Sequence, residues 1–470
     1  MLRSVNCKSS LAQTRRALLS TTSAIRMSST KAQAAAEDEV IFENVNNTKI
    51  VTLNRPSKLN SLNWSMITQL HPRLAEYAKS DITQLIIQRA NGRAFCAGGD
   101  VASCAQYNAE GRTDGSTALF QQEYSLNYLL STYTKPIVSL TDGITMGGGV
   151  GLAIHTPFRV ATENTRTAMP EMDIGFSPDV GTTFALNKQV PASFGWYMAL
   201  TGESIFGLDN YFIGLSTHYI PSHRLAEVTK ALTDANLATE HSADSYTIVN
   251  NILESFTDPL PADYKFKHSK ENLALIDSIF HEEATIESIL NDLKEEGSPF
   301  ALATYETLSK KSPLSMKVAL ALLQRGLHSD IKSCLQRELS AAEQFMKDSD
   351  FNEGVTSKLI TKSKELPNWK NKTPQEVTTK DILKFFKPSA NFKLDTHSNT
   401  TFNQYPYNFG LPKEDEVKTL IDKQFSREQV LEFFNNHKVY KNKAGLNQYL
   451  NYVISAKGEY TPEGTLGWKL

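Results

Sequence analysis

Two glycine-rich segments constrain this chain more than any other feature. Residues 93–100 read RAFCAGGD and residues 141–151 read TDGITMGGGVG. Each follows an apolar run suited to a buried strand, residues 85–87 closed by Asn91-Gly92 in one case and residues 137–140 in the other. A backbone without side chains lets a strand turn tightly into a helix packed close behind it. It also lets a ligand approach main-chain N–H groups, which carry partial positive charge at a helix start. One such segment reads as a tight turn. Two of them after separate strands point to a pair of N–H donors around one ligand oxygen, an oxyanion hole.

The surrounding pattern is α/β. Residues 40–43 and 49–53 flank Asn46-Asn47 and predict a β-hairpin, because Asn tolerates the positive φ of tight turns. Helices are expected over 63–79, 117–130 and 147–154, with a further strand over 158–161. Strands alternating with helices at this spacing make parallel pairs joined by crossovers. From Pro191 to Pro388 the pattern is mostly helical, and the polar stretch to Thr401 marks a boundary. Beyond it, Val417, Leu420, Ile421 and Phe425 share a helical face, and Ser426 with Gln429 predicts a capping box.

Composition narrows the class. The 470 residues carry 49 basic and 51 acidic side chains, and mean hydropathy is −0.34. No stretch approaches the roughly 20 apolar residues of a membrane span. Residues 1–36 hold Arg3, Lys8, Arg15, Arg16, Arg26 and Lys31 and no acid, so the remainder has 43 bases against 51 acids. A basic, Ser/Thr-rich, acid-free start is the composition of a mitochondrial transit peptide. Cys7 lies in that leader. Cys96, Cys104 and Cys334 form no C-x-x-C pair, the ten histidines are scattered, and no P-loop or G-x-S-x-G elbow occurs. Disulfide-framework, zinc-hydrolase, nucleotide-triphosphatase and serine-triad readings lose ground.

A third segment, AMPEMDIGFSPDVGTTF over residues 168–184, sets Glu171 and Asp179 each after a proline, among apolar and glycine residues. Acids in a stretch this poor in other charges can line one pocket, where burial raises a carboxyl pKa toward the range useful for acid/base work. These three segments, with NRPSKLNSLN at 54–63, resemble the crotonase (enoyl-CoA hydratase/isomerase) superfamily over about residues 39–369. The resemblance implies a spiral of β-β-α units with two roughly perpendicular sheets over 39–250, a helical continuation over 251–388 and an extension over 389–470. It implies Gly99 and Gly148 as amide donors to an acyl-CoA thioester oxygen, and Glu171 as the carboxylate.

A departure sets the branch. The hydratase-type first acid falls on Gly151, which leaves Glu171 with Asp179, the pair of the 3-hydroxyisobutyryl-CoA hydrolase branch. QQEYSLN around Glu123, THYI at 217–220, SPLSMK at 312–317 and DFNEGV at 350–355 match that branch in order; Ser177 and Thr182-Thr183 deviate mildly from it. The implied chemistry is thioester hydrolysis in the mitochondrial matrix. Asp179 would bond the 3-hydroxyl and Glu123 would line the pocket; an exposed helix carboxylate is the plain alternative for Glu123. No metal or cofactor is required, since CoA is part of the substrate. An enoyl-CoA isomerase and a component of the mitochondrial small ribosomal subunit are the rivals, and the family implies a homo-oligomer. Residues 389–470 hold 13 aromatics among 82 residues, so they are expected to fold or dock. Lys438, Lys441 and Lys443 cluster there, as a solvated face would.

Overall fold

The Asn46-Asn47 turn joins β1 (Val40–Val45) to β2 (Thr48–Leu53) as an antiparallel pair, with Asn46 at φ 52°. The structure is a computed structural model and describes residues 38–235, 237, 242–460 and 466–469; the basic leader of residues 1–36 lies outside them. After the hairpin the strands come in consecutive pairs: β3 (Leu85–Ala90) and β4 (Ala94–Cys96), β5 (Ile137–Leu140) and β6 (Ile144–Met146), β7 (Phe158–Ala161) and β8 (Arg166–Ala168). The first of each pair enters a six-stranded sheet of order β1-β2-β3-β5-β7-β10, closed by β10 (His218–Tyr219). The second enters a four-stranded sheet of order β4-β6-β8-β9, closed by β9 (Ile205–Phe206). From β2 onward the larger sheet is parallel. Leu85-Ile86-Ile87 and Ile137-Val138 are apolar toward both faces because both faces are covered, while Arg159 of β7 is a buried cation that donates to the carbonyls of Leu215 and Thr156.

The helices that follow build the layers. Asn63 caps α1 (Trp64–Lys79) by accepting from Met66 N–H at 2.8 Å. Then come α2 (Val101–Ala109), α3 (Thr113–Ser131) and α4 (Gly148–Ile154). Short α5 (Thr182–Ala185), α6 (Ala192–Thr201) and α7 (Leu208–Ile213) lead to β10. One face of the six-stranded sheet packs Ile50, Leu85, Ile87, Val138 and Val160 against α8 (Leu225–Asp234) and α9 (Ser242–Glu254). The alternate side chains, Val51, Leu53, Ile86 and Ile137, join the main core with α1 and α3.

The helical continuation runs through α10 (Lys270–Ile279), α11 (Ile286–Glu296), α12 (Pro299–Leu308), α13 (Pro313–Leu327), α14 (Ile331–Phe345), α15 (Ser349–Val355) and α16 (Thr379–Leu383). In SPLSMK, Ser312 caps α13 through Ser315 N–H, with Pro313 at the first helical position. Its hydroxyl also reaches Asp350 of DFNEGV at 2.7 Å, so two motifs 38 residues apart form one joint.

The described residues from Val40 onward form one compact unit, and the tail is built into it. It supplies α17 (Glu414–Asp422), α18 (Arg427–Asn436) with the expected Ser426/Gln429 capping box, α19 (Leu446–Lys457) and the antiparallel pair β11 (Gly458–Tyr460) and β12 (Leu466–Trp468). Val417, Leu420 and Ile421 are buried on one face of α17, while Phe425 falls beyond its end. The tail's aromatics are its anchors: Phe409 stacks on Phe158 at 4.6 Å, and Phe402 and Tyr405 both meet Phe184 edge-on.

Of the three clustered lysines only Lys438 and Lys441 lie on a solvated face. Lys443 is buried, paired with Glu254 and 3.2 Å from His218 Nε2. An apolar spacing rule misses it because a buried cation follows its partner, here on α9, and not its neighbours in sequence. The three cysteines of the body are buried and free, as reduced thiols would be.

Candidate active site

The first glycine segment is held in shape from outside. NRPSKLNSLN runs beside it: Leu62 N–H donates to Gly98 O at 2.8 Å, and Asp100 N–H donates to Leu62 O at 2.7 Å. The Asn60 amide bonds Asn91 O and Ala94 O, and Arg55 reaches Asp100 at 3.3 Å. Gly98 sits at φ 107°, where a side chain would be strained.

The second segment leaves β6 through Gly147 at φ 46° and ψ −118° and opens α4 with Gly148, whose N–H lies among the donors a helix start leaves unpaired. The two segments meet in space. A Cβ at Gly149 would collide with Cys96 O, and one at Gly148 would collide with Glu123 Oε1. One at Gly147 would lie 2.8 Å from Glu171 Oε1, and one at Gly99 would lie 3.6 Å from Glu123 Oε2. Gly99, Gly148, Glu123 and Glu171 therefore surround one small space.

Helix α3 brings Glu123 there. Glu123 and Asn127, four residues apart, form the stripe of α3 facing the glycines, and the exposed-carboxylate alternative for Glu123 is excluded by its 1% exposure. Glu171 opens the Glu171–Ile174 turn after Pro170. Asp179 accepts from Tyr124 OH at 2.7 Å. At Gly151, the position of a hydratase's first acid, a Cβ would lie 2.5 Å from Val180 Cβ and 2.8 Å from Asn127 Nδ2. The space a second glutamate would need is filled.

Among the described residues no cation pairs with Glu123, Glu171 or Asp179. Burial raises the carboxyls of Glu123 and Glu171 to about 8. Burial, then the charges of Glu171 and Glu123, raises Asp179 well above its usual value, and the Tyr124 hydroxyl offsets part of this. Glu123 Oε1, Glu171 Oε2 and both amide atoms of Asn127 are buried without a hydrogen-bond partner. Buried polar atoms are normally satisfied, so four together mark a place built for a polar ligand or a shared proton.

Residues outside the sequence expectation fix this arrangement. Val180, next to Asp179, holds φ 54°, a left-handed backbone that a β-branched side chain disfavours. His155 Nε2 lies 2.7 Å from Val180 O, which only accepts, so Nε2 carries the proton and Nδ1 accepts from Tyr405 OH at 2.7 Å. Burial lowers the His155 pKa to about 4, so the ring is neutral. On the other side Glu338 accepts from Gly181 N–H at 2.6 Å, Thr183 N–H at 3.0 Å and Thr183 OH at 2.5 Å. The Thr182-Thr183 deviation thus has a purpose: Thr182 OH bonds Asp179 O, and Thr183 seats Glu338. Glu338 was detectable, since it lies in the apolar stripe of α14 with Ile331, Cys334, Leu335 and Phe345. The link from Tyr405 to His155 spans 250 positions and leaves no local signal.

The family model for enoyl-CoA hydratase/isomerase matches residues 48–386. The chain is 38% identical over 459 residues to the small ribosomal subunit protein mS47 of Neurospora crassa, covering 90% of this chain and 88% of that one. It is 37% identical over 354 residues to the mitochondrial 3-hydroxyisobutyryl-CoA hydrolase of Danio rerio, covering 75% and 90%. A solved carnitinyl-CoA dehydratase from Mycobacterium thermoresistibile superposes with a TM-score of 0.68 at 30% identity, covering 77% of this chain and 100% of that one. With mitochondrial relatives of this extent, the chain is a mitochondrial protein. The paired strands feeding two sheets, the facing glycine segments and the matched family model have one reading: the chain belongs to the enoyl-CoA hydratase/isomerase, or crotonase, family.

Proposed function

We propose that the chain hydrolyses the thioester of 3-hydroxyisobutyryl-CoA to the free acid and CoA. The observation that carries this reading is the filled space at Gly151, which leaves no room there for a hydratase's first acid and leaves Glu171, beside Gly147, with Asp179 for the chemistry. The amides of Gly99 and Gly148 hold the thioester oxygen and stabilise the negative charge that develops on it; each such donor contributes roughly 2.7–4 kcal/mol. Glu171 either attacks the carbonyl carbon, forming an anhydride that water then opens, or takes a proton from the attacking water. In both routes water ends in the acid and the C–S pair leaves with sulfur. Asp179, kept protonated by burial, bonds the 3-hydroxyl and supplies a proton toward the departing thiolate. Glu123 closes the pocket between the donors.

The test is thiol release by the purified chain from 3-hydroxyisobutyryl-CoA, beside a 3-enoyl-CoA followed for conjugated product. Release from the first substrate, lost in Glu171→Gln, supports the proposal. Absence of release removes it, and conjugation of the second favours the isomerase reading. A single turnover in ¹⁸O-water separates the routes, because an anhydride opened at the Glu171 carbonyl leaves label on the enzyme.

A second reading, assembly with the mitochondrial small ribosomal subunit, is favoured by the extent of the mS47 likeness. Its 90% coverage of the chain exceeds what residues 39–388 can supply, so it includes tail sequence. Migration of the tagged protein with the subunit through a salt-controlled gradient supports it. Migration solely as a small oligomer counts against it.

A further inference from the structure

Helix α3 has a second working face. Gln121, Ser125 and Tyr128, at spacings of four and three, lie on the side away from Glu123 and Asn127 and grip the first part of the tail. Gln121 donates to Lys393 O at 2.6 Å, Ser125 Oγ accepts from Asp395 N–H at 2.9 Å, and Tyr128 OH donates to Ser398 O at 2.9 Å and Thr400 O at 2.5 Å. These bonds seat residues 393–400 along the helix and set Asp395 and His397, two apart, over α1.

There they meet His71. It lies on the buried face of α1 with Ile67, Leu70 and Leu74, so its imidazole needs a polar partner that the helix does not supply. His397 Nε2 lies 2.7 Å from His71 Nε2, with the rings edge to face. One ligand atom from each of His71, Asp395 and His397 falls within 4.8 Å of the other two. Donors at the 2.0–2.1 Å bond lengths of zinc lie about 3.3 Å apart around a tetrahedral ion. The two nitrogens, at 2.7 Å, need to part by only about 0.6 Å to reach that value.

We propose that His71, Asp395 and His397 form a binding site for a divalent transition-metal ion of the zinc class, which pins the tail to α1. Two imidazoles and one carboxylate suit such an ion and suit magnesium or calcium poorly, since those take oxygen ligands. The protein supplies three ligands and water completes the shell. The ion is structural: its ligands come from α1 and the tail, and thioester chemistry needs none of them.

The experiment uses the full chain stripped with chelator and titrated with Co²⁺, followed by displacement with Zn²⁺. The expected result is one Co²⁺ per chain with the visible ligand-field bands of a low-coordinate nitrogen/oxygen site, bleached by Zn²⁺. His397→Ala and Asp395→Asn, both at exposed positions, are expected to weaken binding by at least about tenfold with an unchanged far-UV spectrum. Zn²⁺ should also slow proteolysis of the tail in the parent chain and not in His397→Ala. No stoichiometric uptake, or uptake equal in parent and variants, overturns the site and leaves the two histidines as an N–H···N pair. Neither readout depends on thiol release.

Discussion

Two of the molecule's buried charge clusters are treated in opposite ways. In the pocket Glu123, Glu171 and Asp179 are packed together without a cation, and all three carboxyls are pushed up. Under the tail, Glu254 is also buried; burial alone would raise it, but His218 and Lys443 pull it down to about 2. Desolvation acts on both sites, and the partner decides the sign. An acid with a cation is a fastener. Acids left without one keep a proton available near neutral pH, which is what proton transfer to or from a substrate needs.

The sharpest way to break this contrast is to neutralise one acid in each place. Glu171→Gln should lower thiol release by about 10²–10⁴-fold while leaving the fold intact, because no partner is orphaned. A variant that kept its rate would end the distinction. Lys443→Met should do the reverse, destabilising the chain by about 3–5 kcal/mol in denaturant unfolding while the rate per folded molecule holds. Adding Glu254→Gln should recover much of that loss, since the stranded charge goes with its partner.

Next in size is pH. Carboxyls raised in the folded state bind more protons folded than unfolded between about 4.5 and 8, so stability should fall as pH rises through that window. Glu254, depressed to about 2, contributes stability that is present above about 4.5 and lost as pH falls toward 2. Melting temperature should therefore decline on both sides, and Glu123→Gln with Glu171→Gln should flatten only the alkaline side. Thiol release should rise with pH through about 8, because Glu171 acts as a carboxylate in either route. The smallest effect belongs to Thr183→Val, which removes one hydroxyl from Glu338: about 1 kcal/mol of stability and a rate loss below about tenfold.

The same contrast explains what the sequence disclosed. Strands β3 and β5 were legible because parallel strands covered on both faces carry apolar runs, and the Asn63 cap marks the start that the helix expected over 63–79 already had. The glycine segments and Glu171 with Asp179 were legible because a site built from main-chain donors and isolated acids needs residue types that little else requires. Glu123 could be placed only through the resemblance, since nothing in QQEYSLN says which side of α3 faces inward. Lys443, Tyr405 and His397 were illegible for a common reason: each takes its meaning from a partner at least 189 positions away.

The dependence of the core on its tail has a consequence for how the molecule is made. Until the last 82 residues dock, Glu254 has no Lys443, His155 has no Tyr405, and the rings of Phe158 and Phe184 wait uncovered. A chain that stopped near residue 390 is therefore expected to expose those groups and to self-associate.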